Sequence, residues 1–344
     1  MVTSITLDNK LGGIASSLVS YSKALHIKGI KHHIILPKDA PIIKELAQLP
    51  NVKVFCISKI LLKCHLLTGF IFLKSIRRKL LQSKLTLVHN AKIFSSIAKV
   101  AKRPALINHS GKTNGTNHSF INIFITQAGK RRHFKAYPES TTTSYVINHG
   151  FETHQPNLTD IKEDKSKTLT IVSAGRFVLK KGFIDLIKAA KILEDKNVAF
   201  EIKIFGDGEL KDNLTSAIND TRLKNLKLMG WTDSLRKEFS RSNIFCIPSH
   251  VEPFGLIIGE AMLAGLPVIS TKTDGALEIF GNENTEQKGG ILVEISEPEA
   301  IAEAIMSLMD NEKRASIAKN AFEHITQNFN LERLADHLIK VIDG

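Results

Sequence analysis

Two glutamates, Glu252 and Glu260, stand eight residues apart in the run His250-Val-Glu-Pro-Phe-Gly-Leu-Ile-Ile-Gly-Glu260-Ala-Met-Leu-Ala-Gly-Leu-Pro-Val-Ile-Ser270. A carboxylate accepts paired hydrogen bonds from vicinal hydroxyls, the chemistry of a sugar ring or a ribose. Some seventy residues earlier, Ala174-Gly175-Arg176 is followed by Lys180-Lys181-Gly182. Arginine offers a forked donor and lysine a point charge, and together they neutralise a diphosphate. Each pair also has a plainer reading: solvated glutamates in a strand-loop-helix unit, and an exposed basic turn. A ligand carrying both hydroxyls and phosphates would use all four residues.

The elements around these residues decide how they are presented. Ile244-Phe-Cys-Ile-Pro-Ser249 reads as a short buried strand stopped by proline, which puts Glu252 in a loop outside a strand's carboxyl end. Leu256 to Ala264 reads as a helix closed by Gly265 with Pro267 beyond, so Glu260 rides on a helix. The first amides of that helix favour an anion. Leu169 to Ala174 and Phe200 to Phe205 read as strands, with a helix through Asp185 to Leu193 between them; Val268 to Ser270 starts another strand. Helices are expected over Glu299–Met309, Lys313–Thr326 and Leu331–Ile342.

The first half has the same alternation. Gly12-Gly13 opens an amphipathic helix through Ile14, Leu18, Tyr21 and Leu25, and strands follow at His33–Leu36, Val52–Ile57, Leu85–His89 and Ala105–His109. Val2 to Ile5 has almost no lead-in and reads as an abbreviated or degenerate first strand. Strands alternating with helices predict an α/β chain with two parallel, doubly wound sheets. A charged linker, Asn157 to Lys167, divides residues 1–150 from residues 151–330.

With Pro253-Phe-Gly255 and Ala261-Met-Leu-Ala-Gly-Leu-Pro267 around the two glutamates, the chain closely resembles the retaining glycosyltransferases of family 4. The resemblance is specific over about residues 140–330 and looser before them. It implies the GT-B fold, two Rossmann-like domains facing a central cleft, with residues 331–344 crossing back to the N-terminal, acceptor-side domain. It also implies transfer of a sugar from a UDP- or GDP-linked donor bound by the C-terminal domain. By position, Glu252 would contact donor-sugar hydroxyls and Glu260 the ribose, with Phe254, Gly255 and Leu256 beside the donor. Arg176 and Lys181 would stabilise the leaving diphosphate. His109, in Asn108-His-Ser-Gly111, would contact the transferred sugar, and His89 occupies a similar strand end. Gly12, Gly13 and Gly206 are expected near the nucleotide; the turn Gly206-Asp-Gly208 is not a dinucleotide fingerprint, because residue 211 is lysine. His149 replaces a residue of the usual Pro-Asn-Gly hinge turn and is expected to be structural. Retention in such enzymes is usually explained by front-face attack with no protein nucleophile, and none is proposed.

Composition bounds the rest. A chain of 344 residues with 43% apolar content can build two cores. Cys56, Cys64 and Cys246 have neither disulfide-framework nor metal-ligand spacing. No Asp-x-Asp pair occurs, so no metal is expected on the diphosphate. The start, Met1-Val-Thr-Ser-Ile-Thr, lacks the marks of a secretion signal, and no uncharged apolar run reaches the roughly 17 residues of a spanning helix. A cytoplasmic protein is expected. Residues 1–150 hold 23 Lys and Arg against four acids, and the remainder 24 against 30. A basic half seeks a polyanion, here an anionic membrane or a glycolipid acceptor of the lipopolysaccharide-core kind. The mixed apolar-basic segment Ile57–Leu81 would lie against the inner face of the membrane. Nucleic-acid binding is the competing reading, but it calls for aromatic platforms and the chain has 6% aromatics. Within the same fold, a sugar-nucleotide epimerase is the alternative.

Overall fold

The computed structural model describes residues 1–10, 12–68, 74–109, 120–153, 168–281 and 285–344. These form two compact units, Met1–Glu152 together with Phe329–Gly344, and Thr153–Asn328. The expected linker at 157–167 lies outside the described residues, as do Ser110 and Gly111 after His109.

In the first unit, seven strands form one parallel sheet: β1 Val2–Ile5, β2 His32–Pro37, β3 Val52–Ile57, β4 Leu85–Val88, β5 Pro104–Asn108, β6 Ile121–Phe124 and β7 Ser144–Val146. Their spatial order is β3-β2-β1-β4-β5-β6-β7. The winding reverses between β1 and β4, which pair through Ile5 and Val88. β1 is therefore an interior strand at the reversal, not a degenerate one. Its residues Val2, Thr3, Ser4 and Ile5 are all buried, and two of the four are polar, so the strand lacks an apolar signature. The helices Gly13–Ile27 and Leu331–Asp343 pack together, helped by the Lys28–Asp336 ion pair at 2.6 Å. The Arg103 guanidinium donates to the Ile342 carbonyl at 2.6 Å. Where one basic segment was expected over Ile57–Leu81, two helices are found, Lys59–Leu67 and Lys74–Gln82, with residues 69–73 outside the described set.

The second unit repeats the pattern with six parallel strands: β8 Leu169–Ala174, β9 Phe200–Phe205, β10 Leu226–Gly230, β11 Ile244–Ile247, β12 Val268–Thr271 and β13 Gly290–Val293, in the order β10-β9-β8-β11-β12-β13. Its reversal falls between β8 and β11. Ile171, Ile202, Ile204 and Ile244 of the sheet join Phe183, Leu186, Ile187 and Ala190 of the helix Phe183–Asp195 in a continuous core. Strands buried on both faces read as near-continuous apolar runs, which is why β8 and β11 are legible in the sequence, while β9 is legible by its alternation of Phe200, Ile202 and Ile204 with Glu201 and Lys203. Four strands escape that reading: β6, β7, β10 and β13. Three of them are edge strands, where one face of the backbone is unpaired and the apolar run shortens.

Candidate active site

In doubly wound sheets, ligands bind outside the carboxyl ends of the strands, where the winding reverses. In the second unit that place is the end of β8 and the end of β11. Arg176 follows β8 directly and is exposed, with no hydrogen-bond or ion-pair partner for its side chain among the described residues. Lys181 closes a single 3-10 turn, Leu179–Lys181, after which the helix Phe183–Asp195 begins. Glu252 lies in the loop after β11, and its Oε2 accepts from Lys181 Nζ. Both side chains are mostly buried, exposing 16% and 13%, so each holds the other in place. The structure thus brings together the lysine and the carboxylate that the sequence places seventy-one residues apart.

This arrangement depends on a close approach of two turns. Gly182 has φ +64, and a Cβ there would lie 2.0 Å from the Pro248 carbonyl oxygen. Only glycine lets the turn after β8 lie against the loop after β11. The amides of His250 and Val251 then donate to the Lys180 carbonyl at 2.9 and 3.2 Å. His250 Nε2 lies 2.6 Å from Asp185 Oδ2, at the start of the helix Phe183–Asp195. That pair, which fixes the loop bearing Glu252, is absent from the sequence reading. No local signal marks it, because the two residues stand 65 apart and neither position alone implies a contact. The Gly275 amide donates to the Glu252 carbonyl at 2.9 Å, anchoring the other side of the loop.

Gly206 follows β9, and its φ of +144 lets it approach the first turn. A Cβ at Gly206 would fall 1.9 Å from the Gly175 carbonyl oxygen. Gly206 therefore shapes the turn bearing Arg176. The helix Leu256–Leu263 starts behind Gly255 with no side-chain cap. The amides of Leu256 and Ile257 have no acceptor among the described residues. Phe254 is buried, at 3% exposure, so its ring fills the fold instead of facing a ligand. Glu260 presents accessible surface, yet desolvation raises its carboxyl above the ordinary carboxylate pKa.

The first unit offers different chemistry at the corresponding place. His89 follows β4 and His109 follows β5. His89 Nδ1 lies 2.9 Å from His109 Nε2, and the His149 ring stacks on His109 at 6.1 Å. Burial lowers the pKa of His89 to about 3, with His149 as a second cause, and burial lowers His149 to about 4. His109 is driven well below the ordinary value, first by burial and then by its two histidine neighbours. All three are neutral imidazoles at neutral pH. Gly12 caps and Gly13 opens the helix Gly13–Ile27, and a Cβ at either meets nothing within 4 Å. Packing does not require glycine there. Among the described residues, no group of three His, Cys, Asp or Glu side chains is arranged to hold a metal.

Residues 155–324 match the family of group 1 glycosyl transferases. The lipopolysaccharide core biosynthesis glycosyltransferase LpsE of Rhizobium meliloti is 30% identical over 174 residues, which are 50% of this chain and 49% of that protein. The poly(glycerol-phosphate) alpha-glucosyltransferase of Bacillus subtilis is 29% identical over 55% of this chain and 28% of its own length. The chain spans about half or less of the curated relatives it matches. Among solved structures, Anabaena HepE in complex with UDP and glucose superposes with a TM-score of 0.78 at 20% identity, covering 100% of this chain and 99% of that one. TarM superposes with a TM-score of 0.81 at 15% identity, covering 100% and 98%. These two likenesses carry the fold, and the sequence match carries the family. Residues 155–324 belong to the group 1 glycosyl transferases, family 4, and the chain as a whole has the GT-B fold.

Proposed function

We propose that the chain transfers a sugar from a UDP- or GDP-linked donor to a saccharide or glycolipid acceptor. The observation that carries this reading is the set of charges at one sheet reversal: Arg176 and Lys181 after β8, Glu252 after β11, and Glu260 on the helix behind it. In this reading the diphosphate meets Arg176, Lys181 and the open amides of Leu256 and Ile257. Such fixed donors stabilise charge that develops on a leaving group. Glu260 accepts from the ribose hydroxyls, and Glu252 accepts from the donor sugar while steering Lys181. Family membership supports the reading, as does the UDP and glucose held by HepE within the same fold. His109 serves a sugar hydroxyl at the carboxyl edge of the first sheet. A thermal-shift panel of UDP-, GDP- and ADP-sugars tests it: one class should stabilise the chain, and no shift with any of them contradicts the proposal. Product analysis separates transfer from the epimerase alternative, which converts the donor without an acceptor.

The acceptor is proposed to be an anionic glycolipid at a membrane surface, on the cytoplasmic face. The helix Lys59–Leu67 exposes Ile60, Leu61 and Leu67, at 76%, 53% and 88%. Lys59 and Lys63 stand among them, and Arg77 and Arg78 are exposed on the following helix. Each such cation is worth about 1 kcal/mol at an anionic surface, and exposed apolar groups add partition into the interface. No helix among the described residues is long and apolar enough to cross a membrane. Co-sedimentation with anionic vesicles should be seen at low salt and should fade at high salt. It should also weaken when Arg77, Arg78 and Lys79 are replaced by glutamate. Equal recovery with neutral and anionic vesicles would contradict this acceptor class.

A further inference from the structure

In the first unit, His109 is the last link of a hydrogen-bond chain that starts at a backbone carbonyl inside the fold. Ser22 Oγ lies 2.6 Å from the Leu18 carbonyl oxygen and 2.7 Å from His32 Nδ1. A carbonyl cannot donate and a hydroxyl has one proton, so the Ser22 proton goes to Leu18. Ser22 Oγ must then accept from His32 Nδ1–H. Burial and two neighbouring histidines hold His32 at about 3, so the ring is neutral and its Nε2 is bare. Ser4 Oγ, at 2.8 Å, therefore donates to His32 Nε2. With its proton committed, Ser4 Oγ accepts from His89 Nε2 at 3.2 Å. His89 is also neutral, so its Nδ1 is bare and accepts from His109 Nε2–H at 2.9 Å.

Every direction in this series follows from the first bond. We infer that Ser22, His32, Ser4 and His89 are positioning residues. They fix His109 as the Nε2–H tautomer and leave its Nδ1 lone pair, which has no partner among the described residues, to accept from a sugar hydroxyl. The lone pair is at the carboxyl edge of the sheet, just after β5. The chain is sealed from water: Ser4, Ser22 and His32 have no exposed surface, His89 has 3%, and the Tyr21 ring packs 6.2 Å from His89. Water is thereby kept from supplying the proton that would reverse a link, so the polarity persists. The parity of the strands sets the alignment. Val2 pairs with His32 across β1 and β2, and Ser4 lies two residues on, on the same face of the sheet.

The structural part of this proposal needs no substrate, while its kinetic part rests on the glycosyl-transfer reading. Nitrogen-15 correlation spectra of the histidine side chains separate protonated from bare ring nitrogens. The full chain should show His109 with Nε2 protonated and Nδ1 bare. Ser22→Ala removes the acceptor of His32 Nδ1–H, four links along the series from His109. In that variant, His109 should become a mixture of tautomers. Ser22→Thr keeps the hydroxyl on the same helix and should restore a single tautomer. Turnover of the nucleotide-sugar should fall about tenfold in Ser22→Ala, the value of one hydrogen bond, and return in Ser22→Thr. Ser4→Ala gives a second break, on a strand rather than a helix. An Nδ1–H tautomer in the unaltered chain, or a tautomer indifferent to both alanine variants, would overturn the inference. Absence of any nucleotide-sugar turnover would instead strike the glycosyl-transfer reading and leave the tautomer result standing.

Discussion

The two sheets of this chain share one winding and differ in the chemistry at its reversal. Residues 1–150 carry the positive excess, yet the ends of β4 and β5 hold neutral imidazoles. The remaining residues carry the negative excess, yet the end of β8 presents Arg176 and Lys181. In neither unit does the charge at the strand ends follow the net charge of the half. A half's net charge describes the surface it shows to a large partner. The strand ends answer to a small ligand, where a few fixed groups outweigh the distant surface. A neutral set suits hydroxyls, and a cationic set beside carboxylates suits a diphosphate joined to sugars.

The sharpest way to break this comparison is through the glycines. Gly206→Ala would press a Cβ to 1.9 Å from the Gly175 carbonyl oxygen, in a backbone conformation that L-residues rarely adopt. It should destabilise the second unit by roughly 3 kcal/mol or more, visible as a lower melting temperature. Gly13→Ala in the first unit meets nothing and starts a helix, so it should be neutral or stabilising by up to about 1 kcal/mol. Equal melting of the two variants would show that the turns after β8 and β9 are not packed as described.

Acid should separate the units next. His32 and His89 at about 3 and His149 at about 4 lie well below the 6.5 of an unfolded histidine. Their folded pKa values are depressed, so the unfolded chain binds more protons between those limits. Stability is fully present above about pH 6.5 and falls as pH drops toward 4, by about 1.4 kcal/mol per pH unit for each histidine. Hydrogen exchange followed by mass spectrometry should find the helix Gly13–Ile27 and β1 losing protection at pH 5 before β8 and β11 do. Loss in the reverse order would contradict the buried neutral chain.

Ligand binding should respond in the other unit. Lys181→Ala should weaken nucleotide-sugar affinity by roughly 1.5–3 kcal/mol, the value of a hydrogen bond to a charged group. Without its lysine, Glu252 would also be left unpaired, so melting should fall slightly in the same variant. Equilibrium dialysis against labelled donor reads the first effect, and an unaltered affinity would remove Lys181 from the phosphate site. The smallest expected effect is none at all. With no Asp-x-Asp pair in the sequence, turnover should survive excess EDTA. Loss restored by manganese or magnesium would mean that the diphosphate is held differently.

Much of this was legible in the residues. The buried run Ile244–Ile247 and the alternating segment Phe200–Phe205 declare strands, and the turn chemistry around Gly255 and Gly265 bounds the helix carrying Glu260. Three things were not. β1 is half polar because Thr3 and Ser4 serve buried hydroxyl contacts instead of apolar packing. Thirteen histidines look alike in a sequence, and only the register of β1 against β2 and β4 reveals which of them touch. Long-range pairs such as Asp185 with His250 depend on Gly182 allowing two turns to meet, and no local pattern encodes that contact.

The central claim is that Glu260 and its neighbours at the β8–β11 reversal bind a nucleotide-sugar. Isothermal titration of UDP- and GDP-glucose into the full chain and its Glu260→Ala variant tests it most directly, with melting curves to verify the fold. One donor should bind the unaltered chain. Affinity should fall at least about tenfold in the variant, as expected for losing charged hydrogen bonds to the ribose. Binding should also weaken in the unaltered chain at a higher pH than an ordinary carboxylate would give, because desolvation raises the pKa of Glu260 and the acceptor must be ionised. Equal affinity in the two proteins, or no heat with either donor, would contradict the account.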